Sequence, residues 1–134
     1  ADVGRAVARA ALLGEEEVDP ADPTALTVRM YRKARDPAEK GRFLEEVLRQ
    51  AGDGEAARAE TVAIAGDLTQ PPLFRMRALA AANRVGAMTA EELVALFEGA
   101  PDREFREALR RELKKRTGKD GKLDPAAWRK ILAE

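Results

Sequence analysis

The chain has 134 residues, with 24 Lys+Arg balanced by 24 Asp+Glu, 45% hydrophobic and only 4% aromatic residues. A formal charge of zero removes any global field that would steer it to nucleic acid or anionic lipid. With no Cys and no His, disulfides, thiol chemistry and the usual zinc sites are excluded, and no run approaches the ~20 apolar residues of a membrane span.

A chain of this length can form one domain and bury roughly two-thirds of its unfolded surface. Abundant Ala, Arg, Glu and Leu favour helix intrinsically, and no alternating apolar/polar run is long enough for a strand. The sequence therefore predicts an all-α fold of about eight short helices in four antiparallel pairs. The chain opens at Ala1-Asp2 without Met. That is the kind of end signal-peptide cleavage leaves, which points to an exported, periplasmic protein; otherwise the chain is cytoplasmic or a piece of a longer one.

Asp2 can cap a first helix carrying Val3, Val7 and Ala10, stopped at Gly14. Glu15 to Pro23 reads as an acidic, proline-interrupted linker. Its three consecutive carboxylates cannot converge on one ion, because neighbours on an extended chain point to opposite sides. Asp22-Pro23 opens a second helix with Leu26, Met30 and Tyr31 as its apolar side, and Asp36-Pro37 opens a third with Phe43, Leu44, Val47 and Leu48 inward. So short a junction turns the two helices into a hairpin. Asp53-Gly54 opens a fourth, with Ala57, Thr61, Ile64 and Ala65 inward and Gly66 as its stop.

From residue 67 the punctuation is denser. Thr69 reads as the cap of a helix entered through Pro71-Pro72, which runs along Leu73 to Val85 and stops at Gly86. Its Ala78, Ala80, Ala81 and Ala82 predict close approach to a neighbouring helix. Asn83 either bonds across to that neighbour or faces water. Thr89 and Glu92 form a capping box ahead of Leu93, Leu96 and Phe97. Pro101-Asp102 opens a helix in which Phe105, Leu109 and Leu113 share a face, closed by Thr117-Gly118. Lys119 to Leu123 is a polar loop, and Asp124-Pro125 starts a last helix with Trp128, Ile131 and Leu132. Phe74-Arg75 and Phe105-Arg106 recur about 30 residues apart, the period of an α-solenoid helix pair.

The closing Thr117-Gly118-Lys119-Asp120, followed by Asp124-Pro125-Ala126-Ala127-Trp128, resembles the end of bacterial HEAT-like repeat proteins. Leu123 stands where that family usually has an aromatic, and Ile131-Leu132 where a second Trp is common. The resemblance is tightest there and looser over 71–118; residues 1–66 carry no matching motif. It implies a right-handed stack of helix pairs, a HEAT-like superhelix. Residues 67–134 would be its repeats, and Trp128 would seal the last one. It also implies a protein-binding scaffold with no chemistry of its own.

Asp120-Gly121-Lys122-Leu123-Asp124 mimics half a calcium loop, but Gly121 at the sixth position would put Arg116, Gly118 and Ala127 where oxygen ligands are required. The chain has no Ser, no nucleophile beside a base, and no Gly-rich phosphate loop, so no catalytic, cofactor or metal residue is assigned and the chain reads as non-enzymatic. The helix over 102–116 is cationic. Arg103, Arg106, Arg110 and Lys114 fall on one side of it, a possible interaction surface for an acidic protein or, as the alternative function, a phosphate backbone. The interleaved Glu104, Glu107 and Glu112, with Glu107 paired to Arg111 at i,i+4, favour a solvated face. Arg29, Arg32, Lys33 and Arg35 form a second cluster read the same way. The function that follows is an interaction or scaffold module, an accessory subunit of a larger bacterial assembly. Its partners are one or more proteins, and membrane association comes only through one of them.

Overall fold

The computed structural model describes residues 20–100 and 102–134. Among them lie seven helices and no strand: α1 (Ala25–Lys33), α2 (Pro37–Arg49), α3 (Glu55–Gly66), α4 (Pro72–Val85), α5 (Ala90–Glu98), α6 (Arg103–Thr117) and α7 (Pro125–Ala133). The fold is all-α. None of these helices is long and apolar enough to cross a membrane. The predicted first helix, the acidic Glu15 to Asp19 and Pro101 lie outside the described residues. The chain divides within α3 into two compact units, residues 1–61 and 62–134.

In the first unit, α1 packs against α2 around Tyr31, Leu44 and Val47, which are fully buried. Asp36 caps α2 as its sequence predicts, accepting from the Glu39 N–H at 3.1 Å, with Pro37 in the first turn. The inward side of α1 differs in part from expectation. Tyr31 is buried as expected, but Val28 and Arg29 are buried as well and Met30 is exposed. Two apolar sets compete for the inside of this helix, and the one continuous with the buried Thr24 wins.

The start of α1 holds a second correction. Asp22 does not cap its own helix, and Thr24, the residue at the cap position, makes no side-chain capping bond there. Both side chains instead serve the N-terminus of α3. Asp22 Oδ2 accepts from the Ala56 N–H at 2.7 Å, and Thr24 Oγ1 accepts from the Ala57 N–H at 3.0 Å. Asp22 Oδ1 also accepts from the Thr24 N–H at 2.8 Å and hydroxyl at 2.7 Å, which locks the pair. Two of the orphan donors of a helix start are thus satisfied by residues more than 30 positions upstream. Burial opposes ionisation of Asp22, but its three donors outweigh that and hold the carboxyl below its ordinary range.

The cluster of Arg29, Arg32, Lys33 and Arg35 is a solvated face only in part: the last three are exposed. Arg29 is buried, and Arg32 grips the buried Glu60 of α3 through two bonds of 2.9 Å. A carboxylate inside a protein needs such a fork.

In the second unit, Ile64, Ala65, Leu79, Leu93, Phe105, Leu109 and Leu113 form the core, with α6 packed against both α4 and α5, and α7 packed against α5. The capping box of Thr89 and Glu92 closes with bonds of 3.1 and 2.9 Å. Asp102 and Asp124 cap α6 and α7, and Gly86 and Gly118 end α4 and α6 in the left-handed conformation. Thr69 is not the cap of α4; Pro71 occupies that position with no side-chain bond. Thr69 instead gives its N–H and hydroxyl to Asp67 at 2.9 and 2.6 Å, a local turn that outcompetes a helix start too far downstream to reach.

The two Phe-Arg pairs are not equivalent in their packing. Phe105 is buried and Phe74 half-buried; Arg75 is buried and Arg106 half-buried. Arg75 lies over the Phe105 ring at 4.3 Å and donates to the Ala65 carbonyl at 3.2 Å. The two motifs touch each other rather than occupying matching places.

Candidate functional site

Helix α6 presents two charged sides. On the first stand the four residues of the predicted stripe. Arg110 forks onto Asp120 at 2.9 and 2.7 Å and lies 3.7 Å from Glu107. Arg106 donates to the Leu123 carbonyl at 3.1 Å. Lys114 sits 4.0 Å from Asp120. Arg103, largely exposed, reaches Glu107 at 3.9 Å. Hydrogen bonds from Arg110, then from the Lys122 N–H, hold Asp120 far below the ordinary carboxylate range. This side therefore anchors the 118–124 loop. That loop in turn seats Trp128, which is completely buried and donates its Nε1–H to the Lys122 carbonyl at 2.8 Å. Gly121 lies directly beneath the indole, where a Cβ would stand 2.6 Å from the ring. Arg129 and Glu98 pair between α7 and α5.

The calcium-like sequence is consumed by the same architecture: Asp120 receives Arg110, and Asp124 caps α7. Among the described residues no group of three or more acidic side chains could hold a metal ion.

The other side of α6 faces α4 across an open groove of about 530 Å³. Its α4 wall is Met76, Leu79, Ala80, Asn83 and Arg84, and its α6 wall is Ala108, Arg111, Glu112 and Lys115. Both sets step along their helices by three and four residues, so each is one continuous stripe. The groove exists because Ala80 and Ala108 supply almost no side-chain volume where the stripes face each other. Here the alanine reading needs correcting: Ala78, Ala81 and Ala82 are buried as expected, but Ala80 is exposed. The floor is apolar and the rim mainly cationic.

The predicted Glu107–Arg111 pair does not form. Glu107 turns to Arg103 and Arg110, which leaves Arg111 on the groove with no ion pair among the described residues. Lys115 is in the same state, and both are exposed. Glu112, the groove's one carboxylate, is already bonded to Arg116 at 3.0 Å. Arg116 also donates to the Met88 carbonyl at 2.7 Å and meets Asn83 Oδ1 at 3.5 Å, tying the end of α6 to the end of α4. Asn83 thus bonds across to its neighbour, one of the two outcomes its sequence leaves open.

The sequence pattern singles out the 103/106/110/114 stripe, whereas the groove is lined by the one at 108/111/112/115. The signal for the latter is a pair of helical stripes, each with an alanine one turn before a cation, Ala80 before Arg84 and Ala108 before Arg111.

Compared with family models, with curated proteins and with solved structures, the chain returns no significant match in any of the three.

Proposed function

We propose that this chain is a non-enzymatic protein-binding module of the HEAT-like helical-repeat kind, an accessory or scaffold subunit of a larger bacterial assembly, with the α4–α6 groove as its docking surface. The observation that carries the reading is the groove itself: an apolar floor left open beside two cations, Arg111 and Lys115, that have no ion pair among the described residues. Exposed apolar surface with a polar rim is characteristic of protein–protein contact sites. The repeat architecture draws support from short helices packed α4 on α6, and α5 on both α6 and α7, over 62–134. It draws none from the unequal Phe-Arg pairs. Nucleic acid along the predicted basic stripe is the weaker reading, because Arg106 and Arg110 already hold the 118–124 loop.

The test is a photocrosslinking amino acid placed at Ala80, on the groove, and separately at Ala126, an exposed position on α7. Irradiation in native extract is expected to give a discrete protein adduct from position 80 alone. Equal adducts from both positions, nucleic-acid adducts, or none from position 80 would count against the docking surface.

A further inference from the structure

We infer that the occupant of the α4–α6 groove is an acidic amphipathic helix of another polypeptide. It would set apolar side chains one turn apart on the floor and carboxylates against Arg111 and Lys115. The inference rests on the docking reading above and adds the chemistry of the partner.

Three features select this occupant. The floor offers Met76, Leu79, Ala80 and Ala108, with a Met whose adaptable thioether fits varied apolar partners. A trough between two helices is a common receptor for a third, read through anchors at i, i+3 and i+4. The rim supplies direction and sign. Arg84, Arg111 and Lys115 stand against Glu112, whose charge Arg116 offsets. Arg111 and Lys115 are spaced i,i+4 on one helix, so carboxylates one turn apart on a docked helix can meet both.

The same features disfavour other ligands. A phosphate backbone demands a polar track, and here it would cross an apolar floor. Stacking of bases requires aromatic rings, and none lines the groove. A basic amphipathic helix would bring like charges onto Arg111 and Lys115, which costs affinity and rejects the wrong partner.

The experiment uses the full chain and fluorescence anisotropy with three labelled probes. The first is a four-turn peptide with Leu at i and i+4 and Glu at the flanking positions. The second has the same apolar pattern with Lys for Glu, and the third is a single-stranded oligonucleotide. The acidic peptide is expected to bind, and the double variant R111E/K115E to weaken it about tenfold. Both substitutions fall on exposed side chains with no ion pair among the described residues, and a thermal melt followed by circular dichroism verifies that the variant is folded. The variant Ala108→Glu, which fills the floor, is expected to abolish binding.

Separate outcomes overturn separate claims. Acidic-peptide binding that survives Ala108→Glu removes the groove as the site, and the docking reading falls with it. A lysine peptide that binds as tightly as the acidic one, and is lost in Ala108→Glu, keeps the groove and overturns the acidic partner. Binding of the oligonucleotide in competition with the acidic peptide, or no binding by any probe, also overturns it.

Discussion

Two glycine-to-alanine substitutions in the first unit should move stability in opposite directions, and the sign of each is fixed by what surrounds it. At Gly54 an added Cβ would stand 2.3 Å from Asp22 Oδ1, 2.6 Å from Thr24 Oγ1 and 2.8 Å from Thr24 Cγ2. These atoms cannot swing aside cheaply. Thr24 is β-branched and 1% exposed, and both side chains are pinned to the start of α3. Making room means giving up the bonds to Ala56 and Ala57, each contributing about 1 kcal/mol, with a further penalty of about 1–3 kcal/mol if the buried Ala57 N–H is left without a partner. Against this stands a gain of about 0.4–1 kcal/mol from the less flexible unfolded chain. The net expectation for Gly54→Ala is a loss of about 1–4.5 kcal/mol. At Gly41, inside α2, a Cβ meets nothing within 4 Å, so Gly41→Ala should gain about 0.5–1 kcal/mol. Urea unfolding followed by circular dichroism measures both, with the slope checked for constancy so that a shifted midpoint reports stability. Gly54→Ala at or above the parent in stability would refute the borrowed cap as an energetic element.

Gly121→Ala should push the indole off its seat and cost about 1–3 kcal/mol by overpacking. Trp128 is the only Trp, so a shifted fluorescence maximum in the folded state localises the damage. Arg75→Met keeps the stem but removes the guanidinium from the Phe105 ring and the Ala65 carbonyl; the expected loss is about 1–3 kcal/mol, read from the urea midpoint. Asp22 and Asp120 are both held below their ordinary ionisation range in the folded chain. Their contribution is therefore complete above the unfolded value of about 4 and lost as pH falls below it. Asp120→Asn and Asp22→Asn should each lower the urea midpoint at neutral pH and flatten its decline in acid. A variant whose acid branch parallels the parent's removes that carboxylate from the explanation.

Helix boundaries were largely legible because their determinants are local. Asp36-Pro37, Thr89 with Glu92, Asp102 and Asp124-Pro125 each place an acceptor within a turn of the donors they satisfy, and left-handed stops fall on Gly86 and Gly118. Two expectations failed where an acceptor had a better partner elsewhere. Asp22 looks like the cap of α1, but the chain returns α3 to within reach of it. Thr69 looks like the cap of α4, but Asp67 is nearer. Side chains with two plausible partners behave alike: Glu107 could pair with Arg111 by spacing, yet Arg103 and Arg110 claim it. No pattern confined to one helix can reveal which of two local partners a distant loop has made free. Trp128 was readable as a packing residue, but the reason it fits, a bare Gly121 under the ring, depends on how the loop folds back.

The balanced charge of the chain hides an asymmetry within α6, and that asymmetry bears on function. A net charge of zero says only that the sums cancel; it does not say that each cation has a partner. Asp120, brought in by the loop, takes up Arg110 and stands near Lys114, and Glu107 is drawn to the same side. That leaves the opposite side of one helix cationic without adding a single basic residue. Had Glu107 paired with Arg111, the groove would carry one unpaired cation fewer on its rim, and an acidic partner would be less favoured over any other apolar segment. Arg103 and Arg110, which hold Glu107, therefore fix which face of α6 remains charged. Arg110→Gln tests this coupling at a distance from the groove. Removing the Arg110 charge loosens the hold on Glu107 and lets it redistribute toward Arg111, so affinity for the acidic peptide should fall although no groove residue has changed. An unchanged affinity in a variant whose loop is measurably loosened would show that the two sides of the helix are electrostatically independent.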